Sequence, residues 1–242
     1  LRFMQLSRAG EIMQRLPRTL ILGIASMVLA FGIGIPLGVT AAVHQNGWGD
    51  RISMIIALLG VSIPTFWLAM LFVLLFSLKL GWFPASGIGG WEYYVLPTVS
   101  LCFGGLATQA RQARSSMLEV IRADYVVTAR SKGLTQREVI LKHALPNALN
   151  PIITLAGTNL AVIFGGSIVI ENVFSFPGIG QYMITAINQR DYPIVRGCVV
   201  MLAVVFAVIM LLVDLCYAFN DPRIKARYEN QGKKKKPSKE GK

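Results

Sequence analysis

Charge is scarce in this chain. Asp, Glu, Lys and Arg make up 15% of its 242 residues, and only 12 are acidic. A soluble globule of this size needs more charge to cover itself, so the excess apolar surface must face something other than water. Cysteine is scarcer still: Cys102, Cys198 and Cys216 each sit inside an apolar run at no metal-ligand spacing. They read as free buried thiols and exclude a disulfide framework. The two histidines, His44 and His143, lie in polar segments far apart, so a shared metal site has no support. Absent too are HExxH, a nucleophile elbow, a Walker phosphate loop and any pair of acids on neighbouring apolar runs. The chain therefore carries no catalytic constellation, binds no metal by these patterns and cannot itself hydrolyse ATP.

What is present is apolar length. Hydrophobic residues are 54% of the chain, and a helix needs about 20 of them in a row to cross a bilayer. Five runs come close to or exceed that, at about 19–43, 52–78, 93–110, 151–170 and 194–219. The reading is an all-α polytopic membrane protein with five spans in a transmembrane domain of 19–219. Residues 1–18 form an extracytoplasmic or interfacial lead-in bearing Arg2, Arg8, Arg15 and Arg18 against Glu11. No signal-peptide apolar core follows at the right length.

The formal charge of +12 raises nucleic acid as a partner, but nine of the 24 basic residues lie after Pro222. No aromatic residues interleave with the KKKK run, so the tail of 220–242 reads as a solvated cytosolic end near anionic lipid, not a nucleic-acid site.

Punctuation inside the runs is informative. Gly34 and Gly38 fall one helical turn apart and suit close approach of another helix, with Pro36 between them as a kink. The second run is broken by Ser62-Ile63-Pro64. A freed carbonyl there needs protein or water as partner, so Ser62 and Pro64 either line a pathway or mark a structural kink. Gly165 and Gly166, small residues within the fourth run, are pathway candidates of the same kind. Trp82, Phe83, Pro84 and Trp91 form an aromatic loop suited to the membrane interface. The third run is short and weakened by Pro97, Gly104 and Gly105. Asn150-Pro151 reads as a helix cap with proline in the first turn, and 171–196 as a loop rich in glycine and aromatics. Asp214 near the end of the last run is either a functional acid or an interfacial ion-pair partner.

One stretch stands apart. Residues 111–147 hold seven Lys or Arg against three acids between apolar runs. An amphipathic helix is expected over 115–132, closed by Gly133. Thr135-Gln136-Arg137-Glu138 then reads as a capping box that opens a second short helix. This helix carries Ile140, Leu141, Ala144 and Leu145 on one face, and Pro146 resists its continuation. From pattern alone it is either a docking helix for a partner or a basic helix lying on anionic lipid. The tail and this island are the two large positive clusters, and two spans separate them, so both belong in the cytosol. Five spans then put residue 1 outside with four arginines on the disfavoured side, which leads to the expectation of a missing upstream span.

The residues also resemble a known family. Ala129, Gly133 and Leu145-Pro146 keep the spacing of the EAA loop of bacterial ABC importer permeases. TARSKGL followed by HALPNAL is similar to the branch that imports dipeptides, oligopeptides and nickel. RLPRTL at Arg15–Leu20, GIPLG at Gly34–Gly38, SIPTFWL at Ser62–Leu68, LGWFPASG at Leu80–Gly87, ENVFSFPGIG at Glu171–Gly180, RDYP at Arg190–Pro193 and DPRI at Asp221–Ile224 resemble the same branch in order. The motif's glutamate is Val127 here and its first alanine Thr128, a variant similar to the first of two paired permease subunits. Family members begin with one more membrane helix, so the resemblance implies that this chain lacks the first.

The resemblance implies a type I ABC importer permease fold in the bacterial inner membrane, multi-pass, with the C-terminus cytoplasmic. The implied partners are a second homologous permease, two ABC ATPase subunits that bind ATP and Mg, an extracytoplasmic substrate-binding protein and the lipid bilayer. In that picture Thr135 to Leu145 is a coupling helix. Ala129, Gly133, Thr135, Arg137, Glu138, Ile140, Leu141, Leu145 and Pro146 carry the coupling, and no cofactor binds this chain. Substrates would be di- or oligopeptides, with nickel or another small solute as the alternative. A secondary transporter or channel, and a membrane enzyme, remain as competing classes. The first lacks ionisable residues within its spans and the second lacks catalytic groups.

Overall fold

The computed structural model describes residues 2–220. Side chains at 2–8, 156, 158, 161, 214 and 216–220 lie outside the description, as do the expectations for Asp214, Cys216 and the basic tail. The described residues are all helix and connection: α1 (Arg2–Val43), α2 (Trp48–Ser62), α3 (Thr65–Phe72, continued as π-helix over Val73–Lys79), α4 (Glu92–Ile121), α5 (Asp124–Ser131), α6 (Gln136–Glu138, continued as π-helix over Val139–Ala144), α7 (Leu145–Val173), α8 (Ile179–Asn188) and α9 (Tyr192–Asn220).

Helix α4 is the centre, packing on α1, α2, α3 and α7. The sequence makes this run look short and weak; the structure extends it to 30 residues with Pro97 buried inside. Burial overrides local propensity here. The glycines that weaken a lone helix allow neighbours close: a Cβ at Gly105 would lie 3.4 Å from the Ala30 methyl of α1. On α1, a Cβ at Gly34 would meet the Leu106 carbonyl at 2.8 Å, and one at Gly38 would run into the Ala110 carbonyl. The Gly34/Gly38 pair is thus a seat for the α4 backbone, as its spacing suggests.

Two described helical stretches, Ala9–Val43 and Tyr192–Val213, are long and apolar enough to cross a membrane, or three if α2 and the α3 stretch count as one span bent by 102°. The break falls at Ser62-Ile63-Pro64, where Ile63 takes extended backbone and Pro64 opens α3. The bend is thus a corner and not a mild kink. Residues 2–18 of the lead-in are helical and continuous with α1, with Pro17 inside.

Three other expectations change. The 115–132 helix is two pieces, with α4 ending at Ile121 and Ala123 extended before α5. The 171–196 stretch is mostly helical, supplying the end of α7, all of α8 and the start of α9. Asn150-Pro151 opens nothing, since α7 runs continuously from Leu145. Pro146 likewise fails to stop the chain. It follows a π turn in which the Leu145 N–H bonds the Ile140 carbonyl five residues back, and at the start of α7 its missing N–H and its ring are tolerated.

One apolar cluster joins Leu22 of α1, Ala69 of α3, Leu96 and Leu101 of α4 and Ile163 and Ile170 of α7 with Phe174 and Phe176. Phe83 packs against it from the aromatic loop, whereas Trp82 and Trp91 stay exposed. By contrast α9 leaves Val199, Val200, Val204, Val208 and Leu211 exposed within this chain. Cys102 and Cys198 are buried and unpaired.

Candidate functional site

The island folds as a compact corner against the ends of α1, α4 and α7. Val126 and Ala129 of α5, Val139 and Ile140, Ala144 and Ala148 are buried together with Ala42 and Met117. The chain reverses at Gly133, whose φ of +80° suits only glycine without strain. Its N–H donates to the Arg130 carbonyl at 3.0 Å, closing α5.

Thr135 then opens α6 as its spacing predicts. The Glu138 N–H donates to Thr135 Oγ1 at 3.4 Å, and the Thr135 N–H and hydroxyl donate to Glu138 Oε2 at 3.3 and 2.9 Å. Lys142 Nζ adds a contact to Oε1 at 3.4 Å. The Thr135 hydroxyl, then its N–H, then Lys142 hold the Glu138 carboxyl below its ordinary value. Glu138 therefore stays ionised and keeps the cap closed at neutral pH.

The apolar face expected on this helix divides in two. Ile140 and Ala144 point into the chain's own core, and Leu145 is half-buried against it. Leu141 faces out at 48% exposure, beside Leu134, Thr135, Arg137 and Pro146, all exposed. Tyr125 and Val127 of α5 are exposed as well. Ile140, Ala129 and Leu145 thus anchor the corner, while Leu134, Arg137 and Leu141 form its outward strip. Leu134 lies just past the Gly133 reversal and outside any helix, so helix periodicity does not single it out, whereas Tyr125 and Val127 lie on the exposed side of α5.

A salt bridge fastens the neighbouring α1–α2 turn to the end of α4. Arg114 donates from Nε to Asp50 Oδ1 at 2.5 Å and from a terminal nitrogen to Oδ2 at 2.7 Å, while the Asn46 N–H reaches Oδ2 at 2.9 Å. The Arg114 hydrogen bond, opposed by burial and assisted by Asn46, holds the Asp50 carboxyl below its ordinary value. A two-nitrogen Arg–carboxylate fork fixes both distance and orientation. Sequence reasoning misses this pair, since the two residues are 64 positions apart.

A second buried carboxylate lies within the ENVFSFPGIG string, whose pattern alone gives it no role. Glu171 of α7 accepts from the Thr19 hydroxyl at 2.7 Å and from the Gly180 and Gln181 N–H groups at 2.7 and 3.1 Å. It caps the N-terminus of α8, where free N–H groups and the helix dipole favour an anion. Thr19 in turn accepts the Ile179 N–H at 2.9 Å, and Arg18 donates to the Pro177 carbonyl at 3.2 Å. An acid seven positions ahead of a Gly-Ile-Gly helix start is the available signal.

The four pathway candidates do not join this corner. Ser62 and Pro64 are exposed at the α2–α3 corner, with the Ser62 hydroxyl donating to the Leu58 carbonyl at 2.8 Å. Gly165 is exposed on α7 with nothing near its missing Cβ, and Gly166 approaches Leu101. Among the described residues no three His, Cys, Asp or Glu converge.

Residues 34–226 match the family described as "Binding-protein-dependent transport system inner membrane component". The chain is 42% identical over 217 residues to the glutathione transport system permease protein GsiC of Escherichia coli strain K12, covering 90% of this chain and 71% of that protein. It is 41% identical over 215 residues to GsiC of Salmonella choleraesuis strain SC-B67, covering 89% and 70%. Its fold is similar to a chain of the inward-facing MetNI methionine ABC transporter, with a TM-score of 0.73 at 22% identity over 87% of this chain and 96% of that one. It is also similar to a chain of an amino acid ABC transporter solved with histidines, with a TM-score of 0.62 at 16% identity over 91% and 97%.

Proposed function

Since this chain belongs to the family of binding-protein-dependent transport system inner membrane components, we infer that it forms half of a translocation pathway for short peptides and takes its drive from ATPase subunits docked at the Thr135–Leu145 corner. It is a non-catalytic, multi-pass membrane permease of an ABC importer. The peptide reading rests on GsiC, named for transport of glutathione, a tripeptide.

The proposed arrangement has five spans, with α4 and α7 crossing as the third and fourth, and the coupling corner and C-terminus in the cytosol. Helix α4 is less apolar than a span that crosses alone, and α7 has only part of its side chains described. Their packing on α1 and on each other supports placing them inside a bundle, where neighbours and not lipid receive their polar groups. The partners are a second related permease, two ATPase subunits carrying ATP and Mg, and an extracytoplasmic substrate-binding protein.

One observation carries the mechanical part. The corner buries Ile140, Ala144 and Ala129 in its own chain yet leaves Leu134, Arg137 and Leu141 exposed on a capped, rigid element. A partner that grips the exposed strip moves the buried anchors, and with them the ends of α1, α4 and α7. A ligand biases such a cycle only through different affinities for its states.

The test is reconstitution of the permease pair with its ATPases and binding protein. ATP hydrolysis stimulated by a di- or tripeptide, and peptide uptake that requires ATP, are expected. Uptake driven by a proton gradient with no ATPase present would overturn the reading.

A further inference from the structure

Among the described residues, the buried side-chain polar atoms left without any hydrogen-bond partner belong to Gln109 and Asn159. Gln109 is fully buried, and neither its Nε2 nor its Oε1 is paired; in Asn159 the unpaired atom is Nδ2. A buried amide with no partner is costly and is retained in native structures only for a reason.

The two amides occupy one layer. Helices α4 and α7 run antiparallel. A Cβ at Gly166 would touch Leu101 at 3.3 Å, and one at Gly105 would touch Ile163 at 3.7 Å. Further along, Met117 and Ala148 share one cluster. This register places Gln109 of α4 level with Asn159 of α7, each one helical turn beyond the Gly105–Ile163 contact. The same Gly105 position faces Ala30 of α1, and Gln109 Cβ lies 3.0 Å from where a Gly34 Cβ would be. The glutamine therefore lies in the seam where α1, α4 and α7 meet.

We propose that Gln109 and Asn159 are the two halves of an interhelical latch, open in the conformation described here and closed as an amide–amide hydrogen bond in the other access state of the permease. Both carry the donor and acceptor needed, and a small rotation of α7 against α4 turns the two level side chains toward each other. The coupling corner, continuous with α7 and anchored on the end of α4, is placed to drive that rotation. The latch rests on the permease reading above.

Gln109→Leu removes an amide with both polar atoms unpaired, and Asn159→Leu removes one with its Nδ2 unpaired. In the reconstituted complex each is expected to keep or raise the melting temperature in detergent while lowering ATP-driven uptake roughly fivefold or more. The double variant is expected to lose no more than either single one, because the two act as a unit. Uptake within about twofold of wild type in either variant, or losses that multiply in the double, would overturn the latch. Should the leucine variants fail to assemble, Gln109→Cys with Asn159→Cys decides, in a chain whose Cys102, Cys198 and Cys216 are replaced by serine. With a copper–phenanthroline oxidant, crosslinking is expected in only one of the nucleotide-free and ATP-analogue-bound states. Equal crosslinking in both, or none in either, contradicts it. A wild-type complex with no substrate-dependent ATP hydrolysis would remove the permease reading, and the latch with it, so the two failures are told apart.

Discussion

Thr19 and Glu171, 152 positions apart, meet at 2.7 Å, with the hydroxyl donating to a carboxylate that is wholly buried. The same carboxylate takes the first free N–H groups of α8, so one side chain ties α1, α7 and α8 together. Glu171→Ala leaves that hydroxyl and two N–H groups unpaired, and is expected to cost about 2–3 kcal/mol. In detergent this appears as a melting temperature lower by about 5–10 °C. Glu171→Gln, which keeps an acceptor, falls between. Equal melting of the alanine variant and wild type contradicts the role.

Glycine positions separate by what surrounds them. A Cβ at Gly180 would stand 2.6 Å from the Ile168 Cα, a backbone atom that cannot yield, whereas one at Gly165 meets nothing within 4 Å. Gly180→Ala should therefore destabilise by about 1–3 kcal/mol while Gly165→Ala is near neutral. Thermal unfolding of the two variants side by side checks the order.

The Asp50–Arg114 fork carries a pH signature. The folded Asp50 carboxyl lies below its ordinary value of 3.8, so its contribution is complete above that value and fades as pH falls through the lowered one. Asp50→Asn should melt below wild type at pH 6, with the gap narrowing as the pH drops under 3.8. A gap that widens with acid would contradict the assignment.

Much of this architecture is legible in the sequence and some is not, for physical reasons. Gly133 and the Thr135–Glu138 cap are readable because both are local: one backbone conformation and one three-residue spacing. Gly34 and Gly38 are readable as a packing seat because only small side chains let backbones touch. The length of α4 is not, since Pro97 and Gly105 disfavour helix locally and only contacts with α1 and α7 reverse that local preference. The division of Ile140 from Leu141 is also hidden. Helix periodicity puts them on one broad face, and the π turn and the neighbouring Ala42 and Met117 decide which goes inside. Asp50–Arg114 and Thr19–Glu171 are long-range pairs that a single sequence does not match.

The cap predicts a graded loss. Thr135→Ala removes the hydroxyl that both caps α6 and pairs with Glu138. It should loosen the corner and lower substrate-stimulated ATP hydrolysis several-fold, leaving basal hydrolysis by the ATPases unchanged. Thr135→Ser, which keeps the hydroxyl, should restore it. Failure of serine to restore would place the effect elsewhere.

Leu141 tests the account at its centre, because it is the exposed apolar side chain of a helix whose neighbour Ile140 is buried. Leu141→Glu should leave the permease assembled in the membrane and melting like wild type, yet abolish peptide-stimulated ATP hydrolysis in the reconstituted complex. Gly133→Asp should also abolish the stimulation with the permease still in the membrane, but with a lower melting temperature, because it strains the turn that presents the strip. Stimulated hydrolysis at the wild-type rate in the Leu141→Glu complex would contradict the proposal that this corner is where ATPase movement enters the chain.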